Sequence, residues 1–415
     1  MIYKAITQCR ICGNEALIPV VDLGEQYLTG VFPKQGESVE RGPLAIVKCD
    51  EQKNGACGLL QLKHNYQLDK LYGQNYGYRS GLNRSMVDHL HAKVKKILSI
   101  VPVYPGDLVV DVGSNDSTLL QAYPKGGADL VGVDPTGAKF KDHYPAHIKL
   151  IPDFFPSPRF KDAYHGRKAK IITSISMFYD LESPLVFVES IRDNLADDGV
   201  WLFEQSYMPT MLDTNSYDTI CHEHLEYYAL KQIQWMAAKA GMKILDVEFN
   251  AVNGGSFSVM AAKKNSPHRE NATAIAAVEA DEKKRGLSTC TPYDAFCARI
   301  VQHREDMRVF LDGVKKSGKK IFGYGASTKG NVMLQYCNIN ASDLACIAEV
   351  NEDKFGTFTP GTAIPIISEK EARAMKPEYF MVLPWHFRDH ILAKESAYRA
   401  AGGKFVFPLP RIEVV

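Results

Sequence analysis

The stretch SYDTICHEHLEYY, residues 216–228, concentrates more proton-handling chemistry than any other part of the chain. His222, Glu223, His224 and Glu226 stand there among three tyrosines. Imidazole ionises near neutral pH, so a histidine beside a carboxylate makes a general base, and tyrosines can donate to a developing oxyanion. The H-E-H order lacks the i, i+4 histidine spacing of a zinc protease helix, which excludes metal hydrolysis. Either His224 or His222 could be the base, with Glu223 or Glu226 as the orienting carboxylate. A solvated loop with satisfied histidines is the plain alternative.

Two other clusters have the composition of ligand sites. Cys9 and Cys12 form a C-x-x-C pair with Gly13 behind it, a tight turn that lets two thiolates face one ion. Cys49 and Cys57, more widely spaced, supply a second pair. Four thiolates suit tetrahedral Zn²⁺, and a closed set leaves no position for substrate, so the metal is expected to be structural. One true pair with two incidental cysteines is the competing reading. The second cluster, VVDVGSNDSTLL at 109–120, places an acid on a strand end, then a glycine turn, then a helix expected to begin near Ser117. Asp111, Gly113 and Asn115 lie where backbone approaches a ligand, and the next strand ends in Asp134, placed to accept from a ribose diol. The three-glycine spacing of a dinucleotide fingerprint is absent. An adenosine ligand without phosphates fits, and S-adenosylmethionine (SAM) is one. Asp111 would take its amino-acid end, and PDFFP at 152–156 would offer Asp153 and Phe154 to the adenine. Two glycine-bearing turns, QNYGYRSG at 74–81 and NGGSF at 253–257, permit close backbone approach.

These groups need elements to hold them. From Met86 to Ile100 an apolar residue recurs every three or four positions, which predicts an amphipathic helix. LVVDV, LVGVD, KIITSIS and VWLFEQ then alternate with helix-length stretches, as buried strands of a parallel sheet do. KILDVEF and SFSVMAA are expected to close that sheet as an antiparallel pair. Residues 265–316 carry no strand signal and predict one or two linking helices. KKIFGYGASTKGNVMLQY, 319–336, opens a second α/β unit as strand, glycine turn and helix. The predicted class is α/β: a small cysteine domain over 1–75, a first α/β domain over 76–266 and a second over 267–415.

The chain has 415 residues, enough for two to three domains at roughly 100–200 residues each. Lysine plus arginine number 49 against 48 acidic residues, a net charge of +1, so nothing draws in a polyanion and no nucleic-acid partner is expected. No apolar run approaches a membrane span, and the start MIYKAITQCRICG lacks the apolar stretch of a secretory signal. A cytoplasmic monomer with no membrane partner is expected.

Taken together, CRICG, the later cysteines, NYGYRS, DVGSND, ICHEHLEYY, NGGS, GYGASTKGN and LPWHF resemble one family. It is the three-domain SAM-dependent nucleotide-sugar C-methyltransferases, and the likeness runs in order from Cys9 to about Pro408. The resemblance implies a zinc-binding N-terminal domain, a class I methyltransferase domain and a Rossmann-like C-terminal domain. It implies dTDP-4-keto-deoxysugars as substrates, methylated at the carbon alpha to the ketone through an enolate. It makes His224 the base with His222 and Glu223 beside it, and sets Tyr76 and Tyr78 in the sugar pocket. Gly325, Ser327, Lys329 and Asn331 fall on the nucleotide-facing turn. Three positions depart from the family: Cys221 replaces a tyrosine, Phe178–Asp180 replace a histidine, and Asn253 replaces another histidine. All three face the presumed sugar. An O- or N-methyltransferase on a related sugar nucleotide is therefore the first rival. A non-catalytic zinc protein that merely binds SAM and nucleotides is the second, and an NAD-dependent dehydrogenase using GYGAS is the weakest.

Overall fold

The computed structural model of the protein describes residues 2–53, 55–71 and 78–415. The main sheet of the N-terminal unit has three antiparallel strands from that unit, β1 (Leu17–Tyr27), β2 (Arg41–Cys49) and β3 (Leu60–Leu62), beside a two-stranded pair of Tyr3–Ala5 and His64–Tyr66. Helix α1 (Arg84–Ile100) follows, capped by Asn83 on the Ser85 N–H, with Met86, Leu90, Val94 and Ile97 on its buried face. This is the apolar spacing read from the sequence.

The central sheet holds β4 (Leu108–Val112), β5 (Asp129–Val133), β6 (Ile148–Ile151), β7 (Ala169–Ile175) and β8 (Leu195–Ser206) in parallel. Next in the chain come the short strand β9 (Glu226–Tyr227) and helix α2 (Leu230–Lys239). Strands β10 (Met242–Asn250) and β11 (Ser256–Lys263) then close the sheet as the expected antiparallel pair. Its order is β10-β11-β8-β7-β4-β5-β6. All five residues of β4 are buried, because helices cover both faces of a parallel sheet.

Strand β9 belongs in sequence to the central unit but pairs with β3, extending the N-terminal sheet. It fixes the end of the H-E-H segment onto the cysteine domain. The same segment is anchored from the other side by aromatic packing. Tyr228 stacks on Phe178 at 5.3 Å and Trp201 on Phe203 at 4.1 Å, with Phe178 edge-on to both. Burial of each ring contributes about 1.5–3 kcal/mol.

Two helices, α3 (Ala272–Lys284) and α4 (Thr291–Lys316), lead to the C-terminal unit. There β12 (Ile321–Tyr324) runs into helix α5 (Thr328–Tyr336), followed by β13 (Ile347–Glu349), β14 (Ile366–Ser368), β15 (Tyr379–Val382), β16 (Lys404–Phe407) and β17 (Glu413–Val414). The order is β14-β13-β12-β15-β16-β17, parallel except for the last strand. Among the described residues no helix is long and apolar enough to cross a membrane.

Candidate active site

The four cysteines meet. Sulfurs of Cys9, Cys12, Cys49 and Cys57 all lie within 4.8 Å of one another, with Cys9–Cys57 at 3.5 Å and Cys12–Cys49 at 3.6 Å. A tetrahedron of Zn–S bonds of about 2.3 Å puts its sulfurs about 3.8 Å apart, so the set fits zinc. The turn is made by Gly13, at φ +72°, whose N–H reaches the Cys9 carbonyl. With four thiolates the shell is full, so this chain's cysteines would hold the metal as a structural staple.

The turn after β4 departs from expectation. No α-helix begins near Ser117; tight turns lead to a short 3₁₀ turn at Leu120–Ala122. Asn115 and Ser117 take positive φ, and the Asp116 carboxylate accepts from the Thr118 hydroxyl at 2.6 Å. Short polar side chains that bond nearby backbone compete with a helix, and five stand in a row here. Asp134 instead organises the turn, accepting the Asn115 N–H at 2.7 Å and the Thr136 N–H at 2.7 Å. Asp111 is buried, accepts from the Thr173 hydroxyl, and is pushed up to about 7 by burial. Gly113, at φ +76°, sits beneath Met177. Asp153 stands half-exposed after β6, accepting the N–H of the exposed Phe154. Sequence reasoning passed over Asp116, which with Asn115 ties down the segment after Tyr78 by accepting the Gly81 and Ser80 N–H groups. The Tyr78 carbonyl takes the Asn115 amide, and its ring is half-exposed. Tyr76 lies outside the described residues.

The H-E-H segment separates its two histidines. His222 is a correction to the catalytic set: it is wholly buried, edge-on to Tyr66 at 4.8 Å and 3.4 Å from the Thr29 hydroxyl. That is the interior of the N-terminal unit. His224 faces the other way, edge-on to Tyr179 at 4.5 Å, with Nδ1 on the Thr219 carbonyl at 2.8 Å. A carbonyl only accepts, so Nδ1 carries the hydrogen and Nε2 keeps its lone pair. The orienting group is thus backbone, and neither glutamate serves. Glu226 points at Arg10, 3.6 Å away, and Glu223 pairs with the buried Cys221 thiol. Glu223 also approaches Gly30 so closely that a Cβ there would lie 2.5 Å from its carboxylate. Burial raises Cys221, Glu223 and Glu226 and so favours their neutral forms. His224 is pushed down to about 3 by burial and by the charge of Lys329, well below the near-neutral value expected.

Lys329 enters from the C-terminal unit. It is the second residue of α5, whose N-cap Ser327 accepts the Gly330 N–H at 3.0 Å. Its Nζ donates to the Asn253 carbonyl at 3.0 Å. Asn253, at φ +55°, also donates to the Ser176 hydroxyl. Asp218, buried, accepts from the Trp385 indole at 2.8 Å and feels the Lys329 charge, as do Cys221, His224 and His386. Asn331 is fully buried and spends its amide on the Thr29 carbonyl at 2.8 Å. The central and C-terminal units thus meet at Lys329, and the cavity beside His224 is lined by Tyr179, Ser206, Met208, Met211, Thr219 and Tyr227.

A family model described as a C-methyltransferase C-terminal domain matches residues 251–410. A methyltransferase domain model matches 88–247, and a zinc binding domain model matches 9–72. The C-methyltransferase NovU of Streptomyces niveus is 29% identical over 421 residues, spanning 100% of this chain and 98% of that protein. Among solved structures, the magnesium protoporphyrin IX methyltransferase of Synechocystis with bound SAM is 14% identical, with a TM-score of 0.32 over 43% of this chain and 78% of that one. A SAM-dependent methyltransferase of Clostridium acetobutylicum is 11% identical, with a TM-score of 0.34 over 43% and 92%.

Proposed function

The chain belongs to the SAM-dependent C-methyltransferases that join a zinc-binding, a methyltransferase and a C-terminal domain, and from that premise we propose that its acceptor is a carbon of a nucleotide-linked 4-keto sugar. His224 is the base in this reading. Its Nε2 takes the proton from the carbon beside the ketone, and the C–H electron pair becomes the enolate. When bound, SAM supplies an electrophilic methyl group. Held at the turn after β4, SAM would give that methyl to the enolate carbon, its sulfur keeping the bond's electron pair as the ketone re-forms. His224 then returns its proton to solvent.

What supports the reading most is the disposition of His224: Nδ1 fixed on Thr219, Nε2 without a hydrogen-bond partner among the described residues, and the Lys329 charge near enough to push the imidazole down. The residues present fit SAM at Asp111, Gly113, Asn115, Asp134 and Asp153, where an acid-lined glycine turn closes the end of β4. The nucleotide, which family resemblance makes dTDP, is proposed to set its diphosphate against Ser327 and the free N–H groups that begin α5. Tyr78 and Cys221 would bound the sugar.

The test is incubation with SAM and dTDP-4-ketosugars in D₂O. A mass gain of one methyl, with deuterium entering at a ring carbon, is expected; methylation without that exchange would favour the O- or N-methyl rival. His224→Asn should lower turnover by roughly 10²–10⁴-fold. His222→Asn should act through stability alone. Because only neutral imidazole accepts a proton and His224 is held near 3, kcat/KM should stay flat as pH falls through 6.5, where an ordinary histidine would lose activity.

A further inference from the structure

Resting on the enolate reading above, we propose that Lys329 is a catalytic residue whose ammonium holds the sugar oxygen that turns negative as His224 removes the neighbouring proton. The C-terminal domain would then supply half of the deprotonation machinery, beyond its part in binding a nucleotide.

Three observations carry this. First, the side chain leaves its own domain: α5 starts on Ser327, yet the Lys329 Nζ lies on the Asn253 carbonyl, at the edge of the methyltransferase sheet. A diphosphate at the start of α5 would meet backbone, while Nζ lies beyond it. Second, an ammonium has three donors, and among the described residues Asn253 is its one hydrogen-bond acceptor. Among the described residues no carboxylate forms an ion pair with it, Asp218 acting on it only through its charge. A desolvated cation with one neutral partner is costly unless an anion joins it. Third, the groups around it are arranged for that anion to be transient. Asp218 gives Oδ2 to Trp385 and is the foremost charge acting on Lys329 without bonding it, Glu223 is turned to Cys221, and His224 and His386 are held neutral by burial and partly by the lysine itself. An ammonium that burial pushes down and whose charge His224 feels is complementary to an enolate and not to the ketone that precedes it.

Lys329→Gln keeps a donor for Asn253 and removes the charge. The readout is deuterium entry into a 4-ketosugar nucleotide without SAM, followed by NMR, for wild type, Lys329→Gln and Lys329→Arg. Exchange should fall about 10²–10³-fold in Lys329→Gln, with partial recovery in Lys329→Arg. SAM affinity and the unfolding temperature should match wild type, which shows that the variant is folded. Loss of the charge should also move the acid limb of exchange to higher pH, because His224 is then no longer held down by Lys329. Exchange in Lys329→Gln within about twofold of wild type would overturn the assignment, as would a loss confined to KM, which marks ground-state binding. If wild type neither exchanges nor methylates any ketosugar, the enolate reading itself is overturned, and Lys329's role with it.

Discussion

The two α/β units build the same frame at the turn after their first strand and put it to different ends. In each, an acid closing the second strand accepts a backbone N–H from that turn: Asp134 from Asn115, and Glu349 from Ala326, both at 2.7 Å. In each, a glycine with positive φ lies under the loop that follows the strand on the other side. A Cβ on Gly113 would meet Met177 at 2.9 Å, and one on Gly325 would meet Pro384 at 2.7 Å. Such points, where a sheet reverses its winding, are where ligands settle. The residues that follow decide the rest. Asp116 accepts from the Thr118 N–H and hydroxyl, Ser114, Asn115 and Ser117 reach Tyr144, Tyr78 and His143, and the segment stays a non-helical loop. Ser327 caps a regular helix that delivers Lys329 to the neighbouring domain. The first turn is a loop held by Asp134, the second a helix start that delivers a side chain.

Among the described residues, only the second of these two turns is tied to the zinc-binding domain. Asn331 donates to the Thr29 carbonyl, Gln335 exchanges hydrogen bonds with Tyr27, and the Phe358 N–H reaches the Pro33 carbonyl. Removing zinc should therefore have the largest effect of all and should divide the two turns. Structural zinc contributes about 10–16 kcal/mol of binding free energy, which exceeds or matches the whole stability of a typical domain at about 5–15 kcal/mol. Chelated protein should lose methyl transfer while calorimetry still finds SAM binding near its wild-type constant. Retained turnover after zinc is shown absent by elemental analysis would separate the cysteine cluster from the cleft.

Exchanging the two acids sharpens the comparison next. Asp134→Ala removes the acceptor of the Asn115 and Thr136 N–H groups and, if the proposed SAM site holds, of the ribose, so it should weaken SAM by about 1–3 kcal/mol. Glu349→Ala removes the acceptor of the Ala326, Val350 and Asn351 N–H groups and should cost stability without touching SAM affinity. If Glu349→Ala is the variant that weakens SAM, the cofactor sits in the second turn.

Much of this was legible beforehand, and what was not has a common cause. The cysteine pairs, α1, the parallel strands and the antiparallel closure of the first sheet follow from local spacing and periodicity. Spacing could not say which way a side chain leaves the backbone. His222 and His224 are two positions apart, yet the first enters the N-terminal core and the second the cleft. The orienting group of His224 is the Thr219 carbonyl, which no residue type announces. The pairing of β9 with β3 and the reach of Lys329 are contacts between domains, invisible to any window along the chain. The absent helix after Gly113 was the one miss with a local signal, since a run of Ser, Asn and Asp argues against a helix.

The smallest expected effect tests what the second turn holds besides Lys329. The Ser327 hydroxyl accepts the Gly330 N–H as an N-cap, and Ser327→Ala should cost about 1 kcal/mol of stability. That loss alone says nothing of substrate, because a cap is lost whether or not a diphosphate lies there. Ser327→Asp keeps an acceptor at the cap and adds a negative charge, which the helix N-terminus tolerates. Stability should then return while KM for the sugar nucleotide rises, since unit charges about 4 Å apart repel by about 1 kcal/mol even in water. SAM affinity, read at the other turn, should stay at its wild-type value. An aspartate variant with wild-type KM would leave the second turn as a scaffold for Lys329 alone and move the diphosphate elsewhere in the cleft.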